Sequence, residues 1–328
     1  MKSKSQTGIA LITAMLIVAL STIIATQIFY QQQINLRRTF NQIQSSHMFQ
    51  LFISAEQWAK IILQDDLEKE NKTDSLLDDW AQTMPPIEAE GGQFQASLRD
   101  VQGCFNLNNL VINDQIQAEQ VTIFKALLQQ KALNEQLLWS LIDWLDSNDE
   151  PTAMGAEWET YSQYTPPYRT ANQALTEIPE LLAVAYWNAE IIRTLNTDIC
   201  VLPAPPAVNE FGRYTSKQSQ VTPLNINTIS LTLLKSLSNK MLTANLEKII
   251  MLQQDEGFAS VQDFFDKLDA DNSQTPKLSS TLKADLLSID SHYFMLHYTG
   301  WIGNLEQHYH SLLYRNTKIE SLYRSRSY

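Results

Sequence analysis

Between Ile9 and Tyr30 the chain carries no charged side chain. A helix rises about 1.5 Å per residue, so an uncharged run of this length crosses a hydrocarbon core about 30 Å thick. Lys2 and Lys4 precede it with no acid nearby, which favours a cytoplasmic N-terminus. Arg37 and Arg38 follow on the far side but lie further from the apolar boundary, so they weaken that preference without cancelling it. A cleaved secretory signal has a shorter apolar region and a small-x-small cleavage site. Here Ile34, Phe40, Ile43, Phe49, Phe52 and Ile53 instead keep helical spacing to about residue 63, with no Pro or Gly to interrupt them. The pattern predicts one helix of about 50 residues that leaves the membrane and enters the exported part of the chain. A plain signal anchor is the simpler alternative.

Charge restricts the partners. The 328 residues carry a formal net charge of -12, and basic residues gather only in short pairs such as Arg37-Arg38. Such a chain repels phosphate backbones and suits hard cations or a soluble acidic face. No G-x-G-x-x-G, phosphate-binding loop or H-E-x-x-H stretch occurs, and no Ser/His/Asp set has a recognisable spacing. Glu157 and Glu159 have the chemistry for acid/base hydrolysis, but nothing else in the sequence outlines a substrate cleft. A non-catalytic protein is expected. Cys104 and Cys200 are the two cysteines; they read either as buried free thiols or, if this part is exported, as one long-range disulfide.

Beyond the long helix, an acidic stretch and Met84-Pro-Pro-Ile87 with Gly91-Gly92 read as loop, and residues 94–101 alternate as a half-buried strand. Residues 115–145 have helical periodicity, and another apolar helix is expected around Ile178–Trp187. A Pro-rich linker runs from Val201 to Ala207. A second helical unit opens at Pro223, with Thr228 and Ser260 as expected N-caps. Phe105-Asn-Leu-Asn108 is echoed by Leu224-Asn-Ile-Asn227, which points to two related modules. Residues 292–299 and 307–314 read as strands around a hairpin at Gly300–Asn304.

The densest acidic segment runs from Asp143 to Glu159. Asp146, Asn148 and Glu150 alternate as in the first half of a calcium loop, and Gly155 permits a turn that returns Glu157 and Glu159 toward Asp146 and Asp149. The twelve-residue spacing of an EF-hand is not met. By spacing alone the segment is either a calcium site or a solvated acidic loop. Trp158, Tyr161, Tyr164 and Tyr168 serve to pack it. His308-x-His310 shares one strand face without a third ligand nearby, and reads as sheet packing. Leu224 to Phe265 resembles a helix-hairpin-helix module, but Ser238-Asn-Lys-Met241 replaces the Gly-containing turn that binds nucleic acid, so a structural or protein–protein use is expected.

A short basic leader, Gly8, and an apolar helix that turns amphipathic resemble type IV pilins and pseudopilins. That resemblance implies cleavage by prepilin peptidase between Gly8 and Ile9, followed by methylation of Ile9. The family normally has Glu at the fifth mature position, where this chain has Thr13. Further along come Phe105-Asn-Leu-Asn108, Leu141-Ile-Asp-Trp-Leu-Asp146, Gly155-Ala-Glu157, Pro167-Tyr-Arg169 and Leu224-Asn-Ile-Asn-Thr228. In this order they are similar to the large, K-type minor pseudopilins of the type II secretion system.

The resemblance implies an α+β fold: a pilin-like domain with a long N-terminal transmembrane and amphipathic helix, a small antiparallel sheet and a large inserted helical domain. The expected organisation is a leader at 1–8, a transmembrane helix at 9–30 and a first pilin-like part at 31–110. An inserted helical domain at 111–215, a helix-hairpin-helix-like module at 216–287 and C-terminal strands at 288–328 complete it. The implied function is a tip subunit of the pseudopilus, in the bacterial inner membrane with its bulk in the periplasm. Its implied partners are minor pseudopilins I and J, the pseudopilus with its inner-membrane platform, and prepilin peptidase. Nucleic acid is not among them; the alternative reading is a membrane-anchored pilin-like protein that binds nucleic acid through the second module. Calcium is implied in the helical domain, with Asp146, Asp149 and Glu157 as leading ligands and Asn148, Glu150 and Glu159 as secondary ones. A periplasmic location favours a Cys104–Cys200 disulfide.

Overall fold

Helix α1 (Thr7–Leu67) is 61 residues long and has two halves with different surroundings. From Ile9 to Phe40 its large apolar side chains are exposed, apart from the half-buried Ile34, whereas Met48, Phe52, Ala55, Ala59 and Leu63 are fully or almost fully buried. Those five recur at helical spacing and form one stripe, the pattern of a helix packed on a sheet. The computed structural model describes residues 7–69, 73–89, 91–204, 207–208, 214–215, 220–237, 243–270, 277–280, 282–303 and 305–327. Lys2, Lys4 and the turn at Ser238–Met241 lie outside the described residues.

The stripe packs on a five-stranded antiparallel sheet made of β1 (Ile87–Ala89), β2 (Gly92–Asp100), β3 (Tyr293–Ile302), β4 (Leu305–Arg315) and β5 (Ile319–Ser327), in that spatial order. Strand alternation turns Ala96, Leu98, Phe294, Leu296, Tyr298, Tyr309 and Leu313 toward α1, where they join its buried stripe and Trp80 in one core. Burying a side chain of Leu or Phe size contributes about 1.5–3 kcal/mol. Phe52 stacks on Tyr309 with ring centroids 5.1 Å apart. Between β3 and β4, Ile302 pairs with Leu305, so the hairpin loop has two residues. Gly303 supplies the positive φ of 58° that such a turn requires.

Adjacent strands β2 and β3 are far apart in sequence, because the other α-helices among the described residues fall between them. These are α2 (Ala118–Gln130), α3 (Gln136–Leu145), α4 (Trp158–Tyr161), α5 (Ala189–Leu195), α6 (Leu231–Leu237), α7 (Thr243–Asp255) and α8 (Val261–Asp269). The two helical segments share a single apolar core that runs from Phe105 and Phe124 through Leu141 and Leu181 to Leu234, Ile249 and Phe264.

Several local expectations change. The run over 115–145 is two helices, because Ala132 takes a φ of 54° and breaks the pattern between them. Around Ile178–Ala183 the chain forms a 3₁₀ helix with a Glu177/Glu180 capping box, and α5 starts afresh from the Asn188 cap. Ser260 caps α8. Thr228 is not a cap: its hydroxyl donates to Asp100 Oδ2, and Ser230 Oγ accepts from Leu233 N at the start of α6 instead. Strand β5, which the sequence pattern did not mark, closes the sheet.

The two Asn motifs do the same work in each half of the insert. Asn106 Oδ1 accepts from Asn108 N, and Asn225 Oδ1 accepts from Asn227 N. The second Asn then clamps a distant backbone amide from both sides: Asn108 on Leu175, with bonds of 2.9 Å each way, and Asn227 on Phe258, at 2.7 and 3.2 Å. Each motif also pairs in parallel with the residues that close its own half, Phe105–Asn106 with Ile199–Cys200 and Leu224–Asn225 with Leu287–Ser288. The insert is a repeated module.

A buried polar junction joins insert and sheet. Asn225 Nδ2 donates to Asp74 O, Asp100 Oδ2 and Ser291 Oγ. Arg315 pairs with Asp74 and, at 2.9 Å, with Asp66 at the end of α1. Burial pushes the Asp74 carboxyl up to about 7, against the opposing pull of Arg315. A cavity of about 320 Å³ opens beside this junction.

Candidate functional site

Three features stand apart from ordinary packing. The first is the exposed half of α1. Its polar hydroxyls fold back on the helix: Thr13 Oγ1 donates to Ala10 O, Thr22 Oγ1 to Val18 O, and Thr26 Oγ1 to Thr22 O. A hydroxyl satisfied within its own helix is compatible with hydrocarbon. Among the described residues, one helix is long and apolar enough to cross a membrane, and its most apolar stretch is wholly unburied. That length and composition are consistent with a single-pass anchor. Gly8 sits inside this helix with nothing within 4 Å of where a Cβ would lie. Gly in a helix costs about 1 kcal/mol relative to Ala. Packing therefore gives no reason for Gly8.

The second feature is the acidic segment after α3. Asp143, on the last turn of α3, accepts from Thr152 N at 3.1 Å through both carboxylate oxygens, and this folds the segment back on the helix. Gly155 passes so close that a Cβ there would lie 1.8 Å from Asp143 Oδ2 and 2.4 Å from Thr152 Oγ1. Asp143, Asp146 and Glu157 are all buried. Burial, joined by the charges of Asp143 and Asp114, pushes Asp146 up to about 6. Burial, joined by Asp143, Asp146 and Asp149, pushes Glu157 up to about 7.

Buried acceptors are left without a partner here: Asp146 Oδ1, Glu157 Oε1 and Asn172 Oδ1. The other oxygen of Glu157 accepts from Thr170 at 2.8 Å, and Asn172 Nδ2 donates to Asp149 Oδ1 at 3.1 Å. An unpaired buried acceptor costs about 1–3 kcal/mol, and buried like charges cost more. Among the described residues, no three His, Cys, Asp or Glu side chains already converge as a closed metal site. The donor set is nonetheless all oxygen, partly neutral and partly anionic, which is the chemistry of a hard cation such as calcium.

Of the residues singled out from sequence, Asp146 and Glu157 are buried, and their charges interact with each other and with Asp149, which is exposed. Asn148, Glu150 and Glu159 are exposed, and Asn148 Oδ1 is taken by Glu150 N at 2.7 Å. Glu157 is buried and Glu159 exposed, so the two do not form a carboxylate pair facing a substrate. Asp143, Thr152 and Asn172 were missed. Asp143 reads as a helix residue, and neutral oxygens carry no sequence signature until the loop is folded. The aromatic residues pack the segment: Tyr161 and Tyr168 lie 5.2 Å apart, and Arg169 sits over Trp158 at 4.7 Å.

The third feature is a disulfide. Cys104 and Cys200 are joined with Cα atoms 5.7 Å apart and a sequence separation of 96 residues. Together with Val101, Leu202, Tyr293 and Leu312 it forms a small core between sheet and insert. On the outer face of the sheet, His310 faces His297 across the ladder and His308 faces Thr299.

Two family models, both described as type II secretion system protein K, match residues 103–204 and 224–285. A type II secretion system protein K from Pseudomonas aeruginosa is 29% identical over 287 residues, covering 84% of this chain and 81% of that protein. The protein of the same description from Aeromonas hydrophila is 26% identical, covering 95% of this chain and 94% of its own length. Among solved structures, the GspK-GspI-GspJ complex from the enterotoxigenic Escherichia coli type 2 secretion system contains a chain that superposes with a TM-score of 0.72 at 25% identity. The match covers 89% of this chain and 99% of that one.

Proposed function

The chain belongs to the type II secretion system protein K family, and on that premise we propose that it is a non-catalytic subunit at the tip of the pseudopilus. The observation that carries this reading is Thr13, whose hydroxyl is spent on Ala10 O. In pseudopilins of the filament body, a Glu at this position is thought to neutralise the N-terminal amine of the neighbouring subunit above. A subunit with nothing above it has no use for that carboxylate, which would be costly unpaired in hydrocarbon. The bulk of the insert between β2 and β3 supports the same reading, because it would obstruct stacking beneath another subunit.

On this proposal the subunit primes assembly with minor pseudopilins I and J, the partners in the Escherichia coli complex. It then supports protein export from a pseudopilus built on the inner-membrane platform. Prepilin peptidase cuts between Gly8 and Ile9, and Ile9 is methylated; Gly8 has no packing role that would otherwise account for it. The N-terminus lies on the cytoplasmic side of the inner membrane and the remainder in the periplasm. Calcium, held by Asp143, Asp146, Asp149 and Glu157 with Thr152 and Asn172 nearby, neutralises the buried acids and pins the segment to α3. The nucleic-acid alternative lacks support. The stretch from α6 to α8 carries four lysines, Lys235, Lys240, Lys248 and Lys267, against six acids, and Lys267 is bound to Glu256 and Asp263.

Gold label attached to the insert and viewed on overproduced pseudopili tests the tip assignment. Label at one filament end supports it, and label along the shaft overturns it.

A further inference from the structure

The outer face of the sheet, turned away from α1, carries a pair of imidazoles that the anchor, the acidic segment and the disulfide do not involve. His297 of β3 and His310 of β4 are directly opposite in the ladder. Their inward neighbours Leu296, Tyr298, Tyr309 and Ser311 are buried, so both rings stand on the outer side, half-buried. The rings meet at 77° with centroids 4.8 Å apart, and Nδ1 of one lies 3.0 Å from Nδ1 of the other. Burial, with lesser contributions from His310 and Arg99, holds His297 at about 4. Burial and His308 push His310 in the same direction, so both rings are neutral near pH 7. Arg99, whose charge acts on His297, donates to Thr197 O.

Two nitrogens bound to one ion at about 2.0–2.1 Å lie about 2.9 Å apart at a right angle and about 3.4 Å apart at the tetrahedral angle. The observed separation is close to the right-angle value. We propose that His297 and His310 form a two-imidazole site for a divalent late transition-metal ion, held through both Nδ1 atoms in cis positions. Square-planar or tetragonal ions of the Cu²⁺ and Ni²⁺ kind match this bite better than tetrahedral Zn²⁺, and Cu²⁺ binds tightest among them. One proton between the two nitrogens makes a single N–H···N bond, whereas an ion set to one side of the N···N line makes two bonds once both ring lone pairs turn toward it. The β3–β4 backbone ladder fixes the spacing, so little side-chain freedom is lost on binding. His308, two residues from His310 on the same face, bonds Thr299 Oγ1 at 3.0 Å and is not one of the two ligands. The remaining coordination positions are left to water.

The test uses the full-length, untagged chain in detergent, with calcium in excess so that the acidic segment is already occupied. Cu²⁺ is titrated calorimetrically and followed by electron paramagnetic resonance. The expected result is one equivalent bound, with hyperfine structure from two nitrogen donors. His297→Asn and His310→Asn should each weaken binding by at least ~10-fold, with unchanged melting curves, while His47→Asn and His308→Asn should bind like the parent. The resonance signature of the unmodified chain stands even if a variant folds poorly. Failure to bind a stoichiometric ion, a spectrum without two nitrogen donors, or undiminished binding in both pair variants would overturn the site. So would loss of binding in Asp146→Asn alone.

Discussion

Glu56, fully buried on the inner face of α1, is gripped by Arg324 of β5 through two bonds, Nε to Oε2 at 2.7 Å and Nη2 to Oε1 at 2.9 Å. Ser311, Ser321 and Lys60 complete its partners. The last strand of the chain is thereby tied to the helix that carries the anchor.

Burial alone would raise the Glu56 carboxyl, but the bonds from Arg324, Ser321, Lys60 and Ser311 outweigh it and hold the group at about 2. The folded value lies below the ordinary 4.5, so the stabilisation is present above about pH 4.5 and is lost as pH falls toward 2. The shift corresponds to roughly 3 kcal/mol. Denaturant unfolding of the parent should weaken over that window, and Glu56→Gln should flatten the dependence. An equally steep loss in the variant would show that other groups are responsible. Arg324→Ala should destabilise more than an exposed ion pair would, because it leaves a buried carboxylate short of its main partner.

This same pair explains why β5 was not legible in the sequence. β2, β3 and β4 alternate apolar and polar residues locally, and their existence follows from period two. In β5 the inward contacts near Glu56 come from Ser321 and Arg324, so the apolar signal is absent and the partner lies 268 residues away. The bulge between Leu312 and Leu313 shifts the register there as well. The acidic segment was legible in part for a related reason. Asp146, Asp149 and Glu157 announce themselves by charge, whereas Thr152 and Asn172 acquire meaning only once Asp143 folds the loop back. α1 was the clearest element, because its pattern is local and long.

Asn108 and Asn227 occupy equivalent places in the two modules, so the same substitution should do similar damage at both. Asn108→Ala leaves the Leu175 N–H and carbonyl without their buried partner, and Asn227→Ala does the same at Phe258. Each should cost about 1–3 kcal/mol in chemical denaturation. Asn→Asp keeps the acceptor but loses the donor and should be nearly as damaging. A loss below about 0.5 kcal/mol at either site would remove the duplicated clamp as a determinant of the fold.

Reduction of Cys104–Cys200 should destabilise the chain by about 2–4 kcal/mol, since the bond closes the first module from its opening motif to its closing residues. Cys104→Ser combined with Cys200→Ser should reproduce the effect without reductant. Hydrogen exchange should then quicken first around Phe105–Leu110 and Ile199–Leu202, while α1 and the β3–β4 ladder remain protected. Uniform acceleration across the chain would argue that the bond stabilises the whole molecule rather than the module boundary.

Calcium should act on stability through the segment after α3. A ligand present at 100 times its Kd adds about 2.7 kcal/mol to a fold that alone binds it, so chelation should lower the melting midpoint by several degrees. Asp146→Asn and Glu157→Gln should abolish the difference between calcium and chelator. Glu159→Gln, at an exposed position, should preserve it. Gly155→Ala makes the sharper test because it adds no charge and removes none. Its Cβ would lie 1.8 Å from Asp143 Oδ2, so the loop must move away from α3 and carry Glu157 with it. That variant should lose the calcium response while the sheet stays intact. If it keeps a full response, the ion is held elsewhere; if chelation leaves the parent's midpoint unmoved, the segment binds no calcium that matters to the fold.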